Sequence, residues 1–249
     1  MIESFDFTTM TLKHDQYDGI TIESFTIPNS VLEFEKELLF IIEKIEKKKL
    51  LWIKLSIEQS QFIPILTKHD FVFHHCNERD ITLVKKLIEK PIIPTATNHT
   101  LGVGAVVIDD DKLLVIKDRI WQKYKLPGGH IDDSENISNA LKREVYEETG
   151  IEVEFESIIS LGHFSPAQFG ESNLYVVCRA TALSKEINII DDEEIMDAKW
   201  IDIQEYLSCD DVHIYNKAIV KNALETIGFK IETRTDLITK ENVSYEIFF

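Results

Sequence analysis

The 23 residues from Gly129 to Ile151, GHIDDSENISNALKREVYEETGI, constrain this chain more than any other stretch. Their second half reads as a helix. Asn136 suits the N-cap, with a side chain able to accept from the exposed amides of the first turn. Gly150 suits the left-handed residue that closes a helix. Between them Ile137, Ala140, Leu141 and Val145 recur at helical spacing as one apolar stripe. At about 100° per residue, Glu144 and Glu148 fall inside the angular range of that stripe, and Glu147 falls at its edge. Three carboxylates therefore point the way the core-facing residues point. Partly buried acids this close repel one another and cannot all stay ionised without compensation. The helix dipole adds to the penalty, because negative charge is unfavourable at a C-terminus. A divalent cation answers both costs, and all-oxygen ligands select a hard ion such as Mg2+ or Mn2+. The alternative is a plain surface helix ending in a run of acids.

These residues resemble the Nudix box, G-x5-E-x7-R-E-U-x-E-E-x-G-U with U aliphatic. Every specified position is met, by Gly129, Glu135, Arg143, Glu144, Val145, Glu147, Glu148, Gly150 and Ile151. The resemblance implies a loop–helix–loop holding catalytic divalent metal, in an α/β/α sandwich that hydrolyses a nucleoside diphosphate linked to another moiety. Carried over by position, the metal ligands are Glu144, Glu147 and Glu148 with the backbone carbonyl of Gly128, and Arg143 pairs with Glu135 to orient them. Glu194, six residues before Trp200, matches a later carboxylate that completes such sites as ligand or general base. The alternative for Glu194 is a solvated loop, since residues 191–194 are four consecutive acids.

Net charge of −17 argues against long nucleic acid as a partner, which needs a basic surface. A small anionic nucleotide remains compatible, because a bound metal reverses the local field. Hydrophobic residues at 44% and charged residues at 29% mark a globular chain, and no apolar run approaches a membrane span. The first ten residues, MIESFDFTTM, have no apolar core of signal-peptide length. Cys76, Cys178 and Cys209 are odd in number and lack metal-ligand spacing, which predicts reduced thiols and a cytoplasmic protein.

At 249 residues there is room for two domains, expected at 1–95 and 96–249. The first reads as a smaller α+β unit. Its strands are Ile20–Ile27, Leu50–Leu55, Phe71–His74 and Asp80–Leu87. Its helices are Asn29–Lys49, with Val31, Leu32, Leu38, Leu39, Ile42 and Ile45 at helical spacings, and Glu58–Thr67, interrupted near Pro64. Segments such as WIKLSIEQ and FVFHH resemble the pre-Nudix extension of the fibroblast growth factor antisense protein-like subfamily, which is acetyltransferase-like in fold. Acetyl-CoA binding is not expected, because residues 1–95 hold one glycine, Gly19, and no phosphate-cradling loop. A structural, substrate-shaping or homodimer-forming role fits better. Adjacent strand residues face opposite ways, so His74 and His75 are not expected to act together. Pro91 and Pro94 mark a linker over residues 88–98.

In the second domain the pattern predicts strands at Leu101–Ile108, Lys112–Lys117, Val153–Phe164, Leu174–Ala182, Trp200–Ile203 and Val243–Phe249, with a helix at Val212–Thr226. The glycines of the first strand suggest close approach of another backbone. His163–Cys178 and Glu193–Trp200 continue the subfamily resemblance. Pro166, 15 residues beyond Ile151, resembles the mark of ADP-ribose hydrolases. Substrate contacts are expected from Pro166, Phe164, Phe169 and Arg119, and Trp121 and Tyr124 are further aromatics able to stack on a base. The implied reaction is Mg2+-dependent cleavage of an ADP-ribose- or NADH-like diphosphate. Other nucleotides, such as CoA esters or oxidised nucleoside triphosphates, stay open as substrates, as does a nucleotide-sensing module without turnover.

Overall fold

The computed structural model describes residues 2–3, 8–167, 170–232 and 245–249, and the chain divides into two compact units, Met1–Thr97 and Asn98–Phe249. The architecture is mixed α/β in both. Among the described residues no helix is long and apolar enough to cross a membrane.

The first unit holds strands β1 (Ile2–Glu3), β2 (Leu12–His14), β3 (Gly19–Ile22), β4 (Leu50–Ser56), β5 (Val72–Cys76) and β6 (Asp80–Lys86), and helices α1 (Val31–Lys44) and α2 (Ile63–Lys68). The strands form one sheet in the order β1-β2-β3-β4-β6-β5. β3 and β4 run parallel, joined by α1 as the crossover. Helix α1 buries Phe34, Glu37, Leu38 and Ile41. The expected inward face was rotated too far, since Val31, Leu32 and Leu39 are exposed, Leu32 at 79%. Glu37 is buried instead, and its carboxylate accepts from Thr8 Oγ1 at 2.6 Å, from the Thr9 amide at 2.8 Å and from Thr9 Oγ1.

The strand from Ile20 stops at Ile22, because Thr26 Oγ1 donates to Glu23 O and accepts from the Thr11 amide, drawing residues 24–26 into a 3-10 turn. The interruption expected near Pro64 is present, a 3-10 stretch over residues 57–62 giving way to α2, and Pro64 sits in the first turn of α2, where a missing N–H is tolerated. His74 and His75 do not diverge. A register shift between Phe73 and His75 makes a bulge in β5, which brings the two Nδ1 atoms to 2.7 Å. The segment expected as a linker lies on this unit's own sheet, with His74 Nε2 donating to Pro94 O and Ile93 packed near Leu50, Trp52 and Val84.

The second unit holds β7 (His99–Asp109), β8 (Lys112–Asp118), β9 (Tyr124–Lys125), β10 (Gly128–His130), α3 (Ile137–Thr149), β11 (Val153–Phe164), β12 (Ser172–Ala182), β13 (Ile195–Asp202), α4 (Ile203–Ser208) and α5 (Ile214–Glu225). β7 and β8 pair only at Ile108–Leu113 and Asp109–Lys112, beside their turn. Beyond that they part. β10 adds to β7 and β9 to β8, and the LeuProGlyGly segment joins the two added strands. On their outer sides β12 runs parallel to β7, β11 pairs with β12, and β13 pairs with β8.

Side chains alternate along β7. Val103, Ala105 and Val107 enter one core with Ala140, Leu141 and Val145 of α3. Val106 enters the opposite core with Tyr206 of α4 and Ile219, Val220 and Ala223 of α5. Helices on both faces make this an α/β/α sandwich. Leu141 and Val145 are fully buried, each contributing about 1.5–3 kcal/mol. Strand β13 starts five residues earlier than expected, and its last residue, Asp202, caps α4 by accepting from the Gln204 and Glu205 amides. Of the expected terminal strand, Val243 and Ser244 lie outside the described residues, and Phe248 makes an isolated bridge to Ile231.

Asn136 occupies the N-cap of α3, but its side chain makes no capping bond to the first turn. Glu246 does this instead, its carboxylate accepting from the Ser138 amide and hydroxyl. A carboxylate also suits the positive end of the helix dipole. Glu246→Ala is expected to cost about 1 kcal/mol, the usual value of a cap, read as a lower urea midpoint; an unshifted midpoint would discard this capping role.

Candidate active site

Burial of the acids on α3 follows their helical angles. Glu148 is 4% exposed as a residue, whereas the side chains of Glu144 and Glu147 are 14% and 44% exposed. Glu148 Oε2 accepts the Gly128 amide at 2.6 Å, the one hydrogen bond to this carboxylate among the described residues. Gly128 has φ +140°, and a Cβ there would lie 2.2 Å from Val103 O, so only glycine lets this strand run beside β7. At Gly129 a Cβ would meet Glu144 Oε2 at 2.5 Å. Gly128 thus makes room for the β7 backbone, and Gly129 for the Glu144 carboxylate. Between Gly128 and the acids the structure shows the amide contact; its carbonyl is the expected ligand.

Arg143 joins the site together. It grips Glu135 with two bonds, Nε to Oε1 at 3.0 Å and Nη2 to Oε2 at 2.8 Å. Nη1 donates to Glu144 at 2.8 Å and Glu147 at 3.1 Å, and Nη2 also reaches His130 O. The Glu135 carboxyl is thereby held below its ordinary range, while Arg143 is driven firmly into its protonated form, Glu135 being the largest cause. Burial pushes Glu144 upward against Arg143, with Glu147 and Glu194 adding repulsion. Burial pushes Glu148 up to about 8, opposed by the Gly128 amide and Lys125 and reinforced by Glu144 and Glu194.

Glu194 reaches the site through the C-terminus of α3. The Ile190 and Asp191 amides donate to Glu147 O at 3.0 and 2.8 Å, and the Asn188 amide donates to Thr149 O, satisfying carbonyls of the last turn. Arg119 fixes the same loop, its amide donating to Glu194 O and its Nε to Asp192 O. Glu194 is exposed, but its charge bears on both Glu144 and Glu148. Phe164 and Pro166 stand at the end of β11, where Phe164 packs edge-on against Tyr215 at 5.4 Å. Among the described residues no hydrogen bond or ion pair joins them to the acids. Phe169 lies outside the described residues.

Two neighbours escaped the sequence reading. Lys125 pairs with buried Asp118 at 3.0 Å and brings positive charge to Glu148. Burial raises the Asp118 carboxyl, but the Trp121 amide and Lys125 outweigh it and hold it low. Tyr175 lies over Gly102 and Gly104, so these glycines admit its ring, with the Gly129 carbonyl also beside Gly102. Burial, then the charges of Glu148 and Glu144, pushes the Tyr175 hydroxyl upward. The available signals were a lysine just ahead of LeuProGlyGly and a Gly-x-Gly strand.

Among the described residues no three His, Cys, Asp or Glu side chains converge on one point as they stand; Arg143 draws Glu144 and Glu147 to itself. The donor set nevertheless fits a hard cation. Five carboxylates, Glu135, Glu144, Glu147, Glu148 and Glu194, act on this region against Arg143 and Lys125, and the innermost has one amide for partner.

Comparison with known proteins points to one family. The profile described as NUDIX domain matches residues 98–222, and one described as Nudix hydrolase domain matches residues 10–87. Nudix hydrolase 8 of Arabidopsis thaliana is 33% identical over 203 residues, covering 78% of this chain and 55% of the relative. Nucleoside diphosphate-linked moiety X motif 6 of Xenopus laevis is 38% identical over 170 residues, covering 66% of this chain and 78% of the relative. The chain thus spans little more than half of the plant relative's length. A solved Nudix hydrolase from Nitrosomonas europaea is 25% identical, with TM-score 0.48, covering 58% of this chain and 99% of that one.

The raised Glu148 carboxyl makes stability depend on pH. Its folded value of about 8 exceeds the ordinary 4.5, so its contribution is complete below 4.5 and is lost as pH rises through 8. In chelator, the thermal midpoint is expected to fall over that window, less steeply in Glu148→Gln, and Mg2+ is expected to recover it at the alkaline end. A chelated midpoint with the same slope in both proteins would contradict the assignment.

Proposed function

The chain belongs to the Nudix hydrolase family, and from that premise we propose that it is a Mg2+-dependent diphosphatase cleaving a nucleoside diphosphate linked to a second moiety, of the ADP-ribose or NADH kind. Mn2+ serves as a substitute. The observation that carries this reading is the contrast between two buried acids. Glu37 is satisfied by two threonines. Glu148, equally buried, has one amide and lies among other carboxylates, so its ionised form is stable only with added positive charge. The name of the Xenopus laevis relative supports the substrate class, and the position of Pro166 supports ADP-ribose within it.

In this reading Glu144, Glu147, Glu148, Glu194 and the Gly128 carbonyl hold the metal. When bound, divalent metal neutralises charge on the diphosphate oxygens and lowers the pKa of the attacking water. The chain's own groups do the positioning. Arg143, tethered by Glu135, orients Glu144 and Glu147, and the Gly128 amide orients Glu148. Glu194, on a loop tied to the end of α3, serves as a ligand or as the base that takes the water's proton. Water attacks one phosphorus and the bridging P–O bond breaks, releasing a nucleoside monophosphate and the phosphorylated second moiety. The hydrolytic apparatus is assigned to residues 96–249, and residues 1–95 to substrate shaping or homodimer formation. The cytoplasm is the assigned compartment, a reading supported by the cysteine pattern.

Glu147→Gln and Glu148→Gln are each expected to lower turnover by roughly two orders of magnitude or more, with far-UV circular dichroism unchanged. Monophosphate release from ADP-ribose, NADH, CoA and diadenosine polyphosphates with Mg2+ measures it. Wild-type rates in either variant would sink the site assignment.

A further inference from the structure

Lysines gather on one side of the box, against the grain of a chain with net charge −17. A cavity of about 200 Å³ opens beside Lys125, lined also by Trp121, Tyr124 and Asn216. It shares Lys123 and His213 with an adjoining cleft of about 700 Å³ along the start of α5, where Lys217 and Lys221 stand one turn apart. Asp210 and Asp211 line that cleft too. Even so, among the described residues Lys123, Lys217 and Lys221, like many lysines of this chain, form no ion pair with those aspartates or with another acid.

The groove also adjoins the acids. Lys125 lies three residues before Gly128 and acts on Glu148. It pairs with Asp118, which is buried beneath the 118–122 turn and accepts the Trp121 amide at 2.5 Å. Trp121 is 75% exposed at the mouth of the smaller cavity. The other aromatics are engaged: Phe164 packs on Tyr215, and Tyr124 donates to Asp197 while Lys199 Nζ lies 4.1 Å from its ring centre. An indole face held on an anchored turn, next to unneutralised lysines, suits a nucleotide portion that carries anionic charge away from the reacting diphosphate.

Resting on the diphosphatase reading, we infer that the preferred substrate bears a further phosphate monoester outside the diphosphate that is cut, and that Lys123, Lys217 and Lys221 receive it, with Trp121 stacking on the base between. The groove is then a specificity determinant. It selects among nucleoside diphosphate compounds by their distal charge.

Matched pairs differing by one ribose phosphate test this on the full chain with Mg2+: NADPH against NADH, and CoA against dephospho-CoA. The phosphorylated member of at least one pair is expected to show about five- to ten-fold higher kcat/KM, mainly through KM. That ratio is expected to approach one in Lys217→Glu and in Lys123→Glu, and to shrink as salt rises. Lys217→Met with Lys221→Met, which adds no repulsive charge, should lose it as well. Equal kcat/KM within both pairs, or a preference that survives Lys217→Glu, overturns the inference. If no compound is cut, the diphosphatase reading fails alone. Calorimetric titration of the metal-free chain with adenosine 3′,5′-bisphosphate and with AMP then decides the groove. Tighter binding of the bisphosphate, lost in Lys217→Glu, upholds it; equal binding removes it.

Discussion

One guanidinium carries much of this site. Arg143 spreads its donors over Glu135, Glu144, Glu147 and the His130 carbonyl. Like charges this close on a helix face would otherwise drive the last turns apart or force one carboxylate to take up a proton from water. Lysine could not replace it, since a single ammonium cannot grip one carboxylate with two bonds while serving two others. The arrangement also links the loop that begins at Gly129 to the helix that ends at Gly150. Glu148 is left over. It lies too deep for Arg143 and relies on the Gly128 amide, so its carboxyl is left short of positive charge.

The sandwich exists around that helix for a related reason. Strands β7 and β8 part soon after their turn, and β9 and β10 occupy the gap with the LeuProGlyGly segment between them. Glycines at 128 and 129 let backbone approach where a Cβ would strike Val103 O or the Glu144 carboxylate. At the other end of α3, the free carbonyls that every helix leaves are taken by amides of residues 188–191. The same contacts that finish the helix therefore deliver the loop bearing Glu194. Stability and site assembly use the same hydrogen bonds.

Charge is divided within the second unit. The box region is crowded with carboxylates, and the neighbouring groove gathers lysines despite an acidic chain. A substrate with phosphates at both places would meet opposite local fields, one needing a metal and one needing none. The first unit offers an internal control for this reasoning. Among the described residues Glu37 is a buried acid whose partners are hydroxyls and an amide, with no cation.

Read alone, the sequence determined the box helix, its closure at Gly150, and the placing of Glu144 and Glu148 on its inward face with Glu147 at the edge. All of these depend on spacing within a few turns, where helical geometry leaves little freedom. The main strands of the second unit were legible for the same reason, as period-two or fully apolar runs. What depended on distant residues was not legible. Glu246 caps α3 from 108 residues away, and Lys125 reaches Glu148 only because β9 and β10 fill the gap between β7 and β8. The inward face of α1 was misjudged because Glu37 is buried on it, its partners Thr8 and Thr9 coming from the segment ahead of β2. His74 and His75 meet through a bulge that periodicity cannot show. Local pattern sets which side chains share a helix face; the identity of their partners is settled by tertiary packing, because only the folded chain decides which donors reach a buried charge.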